Sequence, residues 1–392
     1  MLAGLALFRY LHDDFKHFRQ SAGKFVYNHS ESCLEENRYM SDYILAYDIG
    51  TSGVKASLFS ETGKLIAVNT QNYPIDFTND TWAEQNPDAW WRAVINASQG
   101  VVRHVQPGDI ACLCFSGQMS GSVFIDKAGE VLCPAMIWAD RRAAEQAHSL
   151  SARIASWEER YYHLTMRAPT EIRPMEKIMW VKENLPAVYE RSAKILCCKD
   201  YIAFRFTGNT CTDYSDASGT GLFDNEHLVW SHEMFELSGL EKEKMPRALP
   251  STAKVGFVQK QASMETGLRE GTPVIIGAGD GCLAALGAGS TGEGDMHICV
   301  GTSGWCAVCT SKPVLDIERQ RTYSFVHAVP GFYISFINIS AAGASYQWIS
   351  NVLSACCETK EKKTCMGGSI PFPKMPARAH PASYIFPIFW EI

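Results

Sequence analysis

The chain has 392 residues, 46% of them hydrophobic and 20% charged, enough for two domains with sizeable cores. Its formal net charge is −6, its isoelectric point is near 6.0, and Lys and Arg are dispersed, which argues against a nucleic-acid-binding or anionic-membrane surface. No apolar run reaches membrane-spanning length, and the opening MLAGLALFRYLHDDF lacks the basic region and small-residue cleavage site of a signal peptide.

The 14 cysteines fall mostly inside apolar strand-like runs, as Cys112, Cys114, Cys299 and Cys306 do, where cysteine serves as a small hydrophobe. They are read as reduced thiols of a cytoplasmic protein. Cys306 and Cys309 form the one C-x-x-C, but no second pair has zinc-site spacing, so strand packing is the expected role.

Residues 1–40 mix aromatics, charges and histidines without a strand pattern and are read as an upstream extension or a misplaced start. The helical periodicity of FRYLHDDFKHF keeps an accessory helix open. From Tyr43 the pattern is YILAYDI, VKASLFS, a turn at Glu61–Lys64 and LIAVNTQNYP, an antiparallel meander. Asn86 then reads as an N-cap with Pro87 at the first helical position, opening a helix through AWWRAVINASQGVVRHV. IACLCFSG is a buried strand, and SVFID with VLCPAMIW reads as a hairpin. Helices are expected near 141–155 and 175–184, and KILCCKDYIAFRFTG carries a strand into a helix that stops at Gly208. Thr212 to Gly219 reads as a polar loop, and TPVIIGAGDG as a strand entering a loop before a short helix. Strands alternating with helices predict α/β architecture. The opening meander separates it from a dinucleotide-binding unit, and no G-x-x-x-x-G-K-[ST] motif is present.

Two stretches far apart repeat one device. YDIGTSGVKASLF and CVGTSGWCAV each turn from one apolar strand into another through Gly-Thr-Ser-Gly. Small residues let backbone N–H groups converge on phosphate oxygens, and the hydroxyls add donors. With GAGDG (Gly277 to Gly281) between them, the pair points to two related half-domains closing on a nucleotide. Ordinary turns between strands are the alternative for each loop, and for the carboxylates of Asp48 and Asp280.

Met40 to about Ser345 resembles the FGGY family of carbohydrate kinases, within the sugar kinase, heat-shock protein 70 and actin superfamily. The segments that carry the resemblance include AYDIGTSGVKASLF, WAEQNPDAWW, SGQMSGSVFIDKAGEVLCPAMIWADRR, KIMWVKENLP, TDYSDASGTGLFD, IIGAGDGCLAALGAG and VGTSGW. The resemblance implies an α/β actin-like fold with duplicated ribonuclease H-like domains around an interdomain cleft. Residues 41–286 would form the sugar-binding domain and 287–392 the nucleotide-binding one. The residues after Gly301 are too few for a second such domain, which is expected to be incomplete. That leaves activity of the chain itself open, with sugar or partner binding alone as the alternative.

The implied reaction is ATP-dependent phosphorylation of a sugar hydroxyl, a ketopentose such as xylulose by likeness to xylulokinase-type members. The partners would be the sugar and Mg·ATP, with a homodimer left open. Asp280 would be the catalytic base. Asp48 would hold Mg²⁺ through water, while Gly50, Thr51, Ser52, Gly53 and Lys55, with Gly301, Thr302 and Ser303, would clasp the phosphates. Gln118, Met119, Ser120 and Gly281 match the sugar-binding positions, with core packing an equal reading for Met119. Trp138, Asp140 and Arg142 lie near the sugar by the same resemblance; Asp140 would accept from hydroxyls, or Asp140 and Arg142 form a structural ion pair. Ser120 stands where xylulokinases carry His, and Gly281 where they carry Asn, which opens the substrate to another ketose, a polyol or an aldonate.

Overall fold

The computed structural model describes residues 43–300 and 304–339, and beyond them residues 342, 343, 345, 346 and 348–350. Described residues through Cys299, together with Gly304–Ile339, form one compact unit; Val300 and those after Ile339 belong to a second. The expectations for residues 1–40, for Gly301, Thr302 and Ser303, and for the last part of the chain lie outside the described residues.

The chain opens on the expected meander of β1 (Tyr43–Ile49), β2 (Gly53–Ser60) and β3 (Leu65–Asn72), paired antiparallel in turn. Helix α1 (Pro87–Val102) follows, its start set as expected: Asn86 Oδ1 accepts the N–H of Asp88 at 2.9 Å, and Pro87 occupies the first turn. Trp90, Val94, Ala97 and Val101 recur at helical spacing and bury one face against the sheet. Each valine of that face contributes about 1.5–3 kcal/mol on burial, the alanine methyl less. Strand β4 (Ile110–Gly117) then returns parallel to β1.

An excursion of short strands and helices separates β4 from β5 (Lys254–Phe257) and β6 (Pro273–Gly279). It contains α2 (Ala144–Ile154), α3 (Glu158–Thr165), α4 (Pro174–Asn184), α5 (Cys198–Thr207) and α6 (Tyr214–Gly219). Helix α5 ends at Gly208 in the left-handed conformation, as expected. The hairpin expected over SVFID and VLCPAMIW is only partly formed. Val123–Ile125 pairs instead with Lys194–Leu196, and only the Ile125–Val131 and Ser122–Met136 bridges remain on the hairpin side. Residues 212–219 are not a loop: Asp213 caps α6, accepting from the N–H groups of Ser215 and Asp216.

The sheet order is β5-β6-β4-β1-β2-β3, with β1, β4 and β6 parallel. Their C-terminal ends therefore open on one edge, where ligands bind in open α/β sheets. Alternation assigns the faces. Leu45, Tyr47, Leu113 and Phe115 join the core under α1 and α5. Ile44, Ala46, Cys112 and Cys114 face a second cluster.

That second cluster is completed by α7 (Asp280–Gly287) and a four-stranded sheet. The sheet comprises β7 (Met296–Val300), β8 (Gly304–Thr310), β9 (Tyr323–Val326) and β10 (Tyr333–Ile339), in the order β7-β8-β10-β9. Leu283 and Leu286 pack with Ala307, Ile334 and Phe336, so packing continues across the border expected at residue 287. Cys306 and Cys309, three apart on β8, face opposite sides of the sheet and cannot share a ligand.

Candidate active site

Strand register builds the site. Asp48 on β1 stands opposite Ser116 on β4, and Ser116 stands opposite Ala278 on β6. Neighbouring strands are about 4.8 Å apart, so Asp48 and Ala278 are about 10 Å apart across the sheet. Two residues beyond Ala278 the chain reaches Asp280, which keeps the same parity as Asp48 and Ser116. The apolar face of Ile44, Ala46, Cys112 and Cys114 thus becomes polar at its C-terminal edge.

Strand β6 is irregular between Ile275 and Ala278. Gly277 has φ +71°, and a Cβ there would lie 1.7 Å from the carbonyl oxygen of Phe115, so only glycine fits. The irregularity delivers Asp280 to the start of α7, where its Oδ1 accepts the N–H of Gly281 at 2.7 Å. Its side chain reaches solvent. Protein encloses the carboxyl on its other sides, and that enclosure, reinforced by the charge of Asp48, pushes its pKa up to about 7, while the Gly281 N–H pulls the other way. Solvent access at the open side tempers these effects.

The loop Gly50–Gly53 closes on itself through Gly50 N–H to Gly53 O at 3.0 Å. Its carbonyls are drawn toward the protein: Gly50 O accepts from the Tyr73 hydroxyl at 2.5 Å, Thr51 O from Gln85 Nε2 at 2.8 Å, and Ser52 O from Tyr73 N–H at 3.2 Å. In a planar trans peptide the N–H points opposite to the carbonyl. The N–H groups of Thr51, Ser52 and Gly53 therefore turn away from those donors, which is the arrangement of an anion-binding nest. A Cβ on Gly53 would meet Gln71 O at 2.5 Å, so this turn also requires glycine. Lys55 sits opposite Asp48 in the β1–β2 pair and shares its face.

Gln118, Met119 and Ser120 follow directly from β4. Gln118 N–H continues the ladder to Ile49 O at 2.9 Å, and its Nε2 donates to Gln85 Oε1 at 2.8 Å. Gln85 also holds Thr51 O, so one amide links the two loops. Gln118 Oε1 is buried without a protein donor, and so is the hydroxyl of Ser116. Ser120 has φ +61°, unusual for a residue with a side chain. Lys177, fully buried on α4, holds that backbone by donating to Ser120 O at 2.9 Å and Ile137 O at 2.6 Å. Burial pushes the Lys177 ammonium down to about 7, against the raising charges of Asp140 and Glu176. Met119 is a core residue of the second cluster, with its side chain wedged where a Cβ on Gly279 would lie 2.6 Å away. Gly281 lies beside both Met119 and Phe336.

Asp140 and Arg142 form the buried ion pair. Arg142 donates from Nε to both Asp140 oxygens at 2.9 and 3.0 Å and from Nη2 at 2.7 Å. Ala83 N–H adds a further bond to Asp140 at 2.8 Å, and Arg142 also reaches Glu84 at 2.6 Å. The guanidinium lies 3.7 Å over the Trp82 ring. Protein donors take up the Asp140 carboxylate, which has no exposed surface, so the pair braces the segment beneath Trp138.

Sequence reasoning placed Trp138 near the sugar without giving it a role, and it left two further groups unassigned. Trp138 is 47% exposed, and its indole N–H donates to Thr51 Oγ1 at 2.9 Å. Ser116 has no motif around it; the signal was its alternation with Cys112 and Cys114. The other is the buried cluster of Lys199, Asp200, Asp213 and Asp216, whose members lie in a segment that reads as a polar loop and in one that reads as an ordinary helix.

Comparison with known proteins bears on this arrangement. Residues 43–287 match the N-terminal domain of the FGGY family of carbohydrate kinases. The chain belongs to that family. Among curated FGGY relatives it is 33% identical over 308 residues to the xylulose kinase of Lactococcus lactis, covering 78% of this chain and 60% of that protein. It is 29% identical to the gluconokinase of Bacillus subtilis, covering 73% of this chain and 55% of that one. The crystal structure of xylulose kinase from Rhodospirillum rubrum superposes with a TM-score of 0.75 at 26% identity, over 80% of this chain and 64% of the other. The FGGY chain described here thus spans about 60% of the length of the curated relatives it matches. Among the described residues no helix is long and apolar enough to cross a membrane.

Proposed function

We propose that this chain carries the sugar-side chemistry of an ATP-dependent carbohydrate kinase, with a ketopentose such as xylulose as acceptor. The observation that carries the reading is the Asp280 carboxyl, raised toward neutral pH by its enclosure and by Asp48 at the edge where three parallel strands end. Phosphoryl transfer asks the protein for positioning, charge stabilisation and a base for the attacking hydroxyl. Asp280, ionised above about pH 7, takes the proton of that hydroxyl as its oxygen bonds to the γ-phosphorus of ATP and the bond from that phosphorus to the β,γ-bridging oxygen breaks, releasing ADP. Gln118 Oε1 and Ser116 Oγ, buried without partners, supply polar atoms toward the sugar and the phosphates. The N–H groups of Thr51, Ser52 and Gly53 receive phosphate oxygens, and Lys55 adds positive charge on the same face as Asp48.

The donor set suits Mg²⁺: Asp48 offers hard carboxylate oxygens, and a divalent cation would relieve its repulsion with the Asp280 carboxylate. When bound with ATP, Mg²⁺ neutralises charge on the β- and γ-phosphate oxygens. Asp48 would hold it through water. Ten described cysteines are free and six of these are buried, in keeping with a reducing, cytoplasmic setting.

An aldonate is the second acceptor, favoured by the gluconokinase relative and by Ser120, whose short uncharged hydroxyl leaves room for a carboxylate. The test measures ADP release from Mg·ATP with xylulose, gluconate and a polyol in turn. Release that requires one of these and vanishes in Asp280→Ala is the expected result. Sugar binding by calorimetry without any ADP release would reduce the reading to a binding role, and sugar-dependent turnover in Asp280→Ala would remove Asp280 from the mechanism.

A further inference from the structure

Asp213 is fully buried and gathers donors from three segments. Its Oδ2 accepts Ser215 N–H at 2.9 Å, Ser215 Oγ–H at 2.6 Å and Ser251 Oγ–H at 2.8 Å. Its Oδ1 accepts Asp216 N–H at 3.3 Å and lies 2.8 Å from Lys199 Nζ. Lys199 Nζ also lies 2.7 Å from Asp200 and 3.1 Å from Asp216, so it occupies the centre of the carboxylates, where a metal ion would have to sit.

This hub touches the turn that carries Asp280. A hydroxyl has one proton; that of Ser215 goes to Asp213, which leaves its lone pairs for the N–H of Gly279, 2.9 Å away. Gly279 is the cap residue immediately before Asp280. Ser251 adds a second tie, since its carbonyl accepts Gly277 N–H at 3.0 Å, and Ala253 O accepts Ile276 N–H at 3.1 Å. The stretch of β6 that breaks register with β4 is thus rebound to residues 215, 251 and 253. Packing alone does not need so many buried charges, which are costly unless fully paired.

We propose that Ser215, oriented by Asp213 and Lys199, is a positioning residue for Asp280: by gripping the Gly279 N–H it fixes the turn from which the carboxylate meets the acceptor hydroxyl. This rests on the reading of Asp280 as the base. Misplacing a catalytic group by about 1 Å can cost on the order of a hundredfold in rate, so the grip acts on turnover rather than on sugar affinity.

The experiment compares wild type with Ser215→Ala, Ser215→Thr and Ser251→Ala in the full chain. Three quantities are read: kcat and sugar KM, amide hydrogen exchange at Gly279, and the ¹³C titration of the Asp280 carboxyl. Expected for Ser215→Ala is a kcat loss of about tenfold to a hundredfold with KM within about twofold. Exchange at Gly279 accelerates by about tenfold or more while Leu113 and Phe115 on β4 stay protected, and the Asp280 titration moves. Ser215→Thr, which keeps the hydroxyl, restores part of each, and Ser251→Ala, which spares the Ser215–Gly279 bond, gives a smaller effect.

Unchanged kcat in Ser215→Ala overturns the proposal, and so does acceleration spread evenly over β1, β4 and β6, which marks a merely structural role. Should wild type show no turnover, exchange at Gly279 and the Asp280 titration decide alone: a selective change supports the grip, and none overturns it. Asp280→Ala is run in parallel. Surviving turnover there ends the base reading, whereas a dead Asp280→Ala beside a fully active Ser215→Ala ends only the positioning role.

Discussion

Asp48 near the end of β1 and Asp280, the first residue after β6, stand at the same edge of the central sheet, with Ser116 of β4 between the two strands. Beside enclosure, the larger effect, the charge of Asp48 helps raise the Asp280 pKa. Asp48→Asn should therefore lower that pKa from about 7 toward the ordinary carboxylate range, as followed by ¹³C carboxyl shifts of labelled aspartate. A titration that stays in place would show that enclosure alone sets it.

The same shift fixes a sign for stability. Between the unfolded value near 3.8 and the folded value of about 7, the folded chain holds a proton that the unfolded chain has released. This group's contribution is thus fully favourable below the unfolded pKa and is lost as pH rises through the folded one. Asp280→Asn, which carries no charge to enclose, should raise Tm relative to wild type, with a gain that grows from pH 4 to 7 and then levels. Calorimetric melts across that range would refute it if the gain were flat.

Arg142 offers a larger effect. Its side chain is 3% exposed, and removing it leaves Asp140 as an uncompensated buried charge. Arg142→Met is expected to destabilise the fold by about 3–5 kcal/mol in denaturant titrations, and Asp140→Asn combined with Arg142→Met by clearly less than the sum of the singles. Additive losses would contradict a mutual pairing.

Gly53→Ala probes the first loop. A Cβ there would stand 2.5 Å from Gln71 O and 2.8 Å from Asn72 Oδ1, forcing the β2–β3 backbone apart. A loss of about 1–3 kcal/mol is expected, with weakened Mg·ATP binding by calorimetry. Wild-type stability together with wild-type nucleotide binding would count against the nest.

Much of this was legible in residues. The meander, the Asn86 and Pro87 helix start and the Gly208 stop are local events, fixed by alternation and capping within a few positions. Asp48, Asp280 and the loop at Gly50 were readable because strand ends followed by glycines advertise an exposed turn. What escaped depends on contacts far apart in the chain. Val123–Ile125 chose Lys194–Leu196 over its sequence neighbour. Residues 212–219, polar enough to pass for a loop, are buried because Lys199, contributed by α5, compensates their charge. No local period announces a lysine that distant, nor does any reveal that Asp140 spends its carboxylate on Arg142 and Ala83.

Met119 gives the arrangement a mechanical character. Its thioether fills the space beside Gly279 and reaches toward Gly219, so the peptide after β4 and the turn bearing Asp280 cannot shift independently. Lys177 clamps the next residue, Ser120, from beneath. On the proposed function, an acceptor molecule that leaned on one side of this wedge would displace the other, gearing recognition and proton removal together rather than leaving them separately tuned.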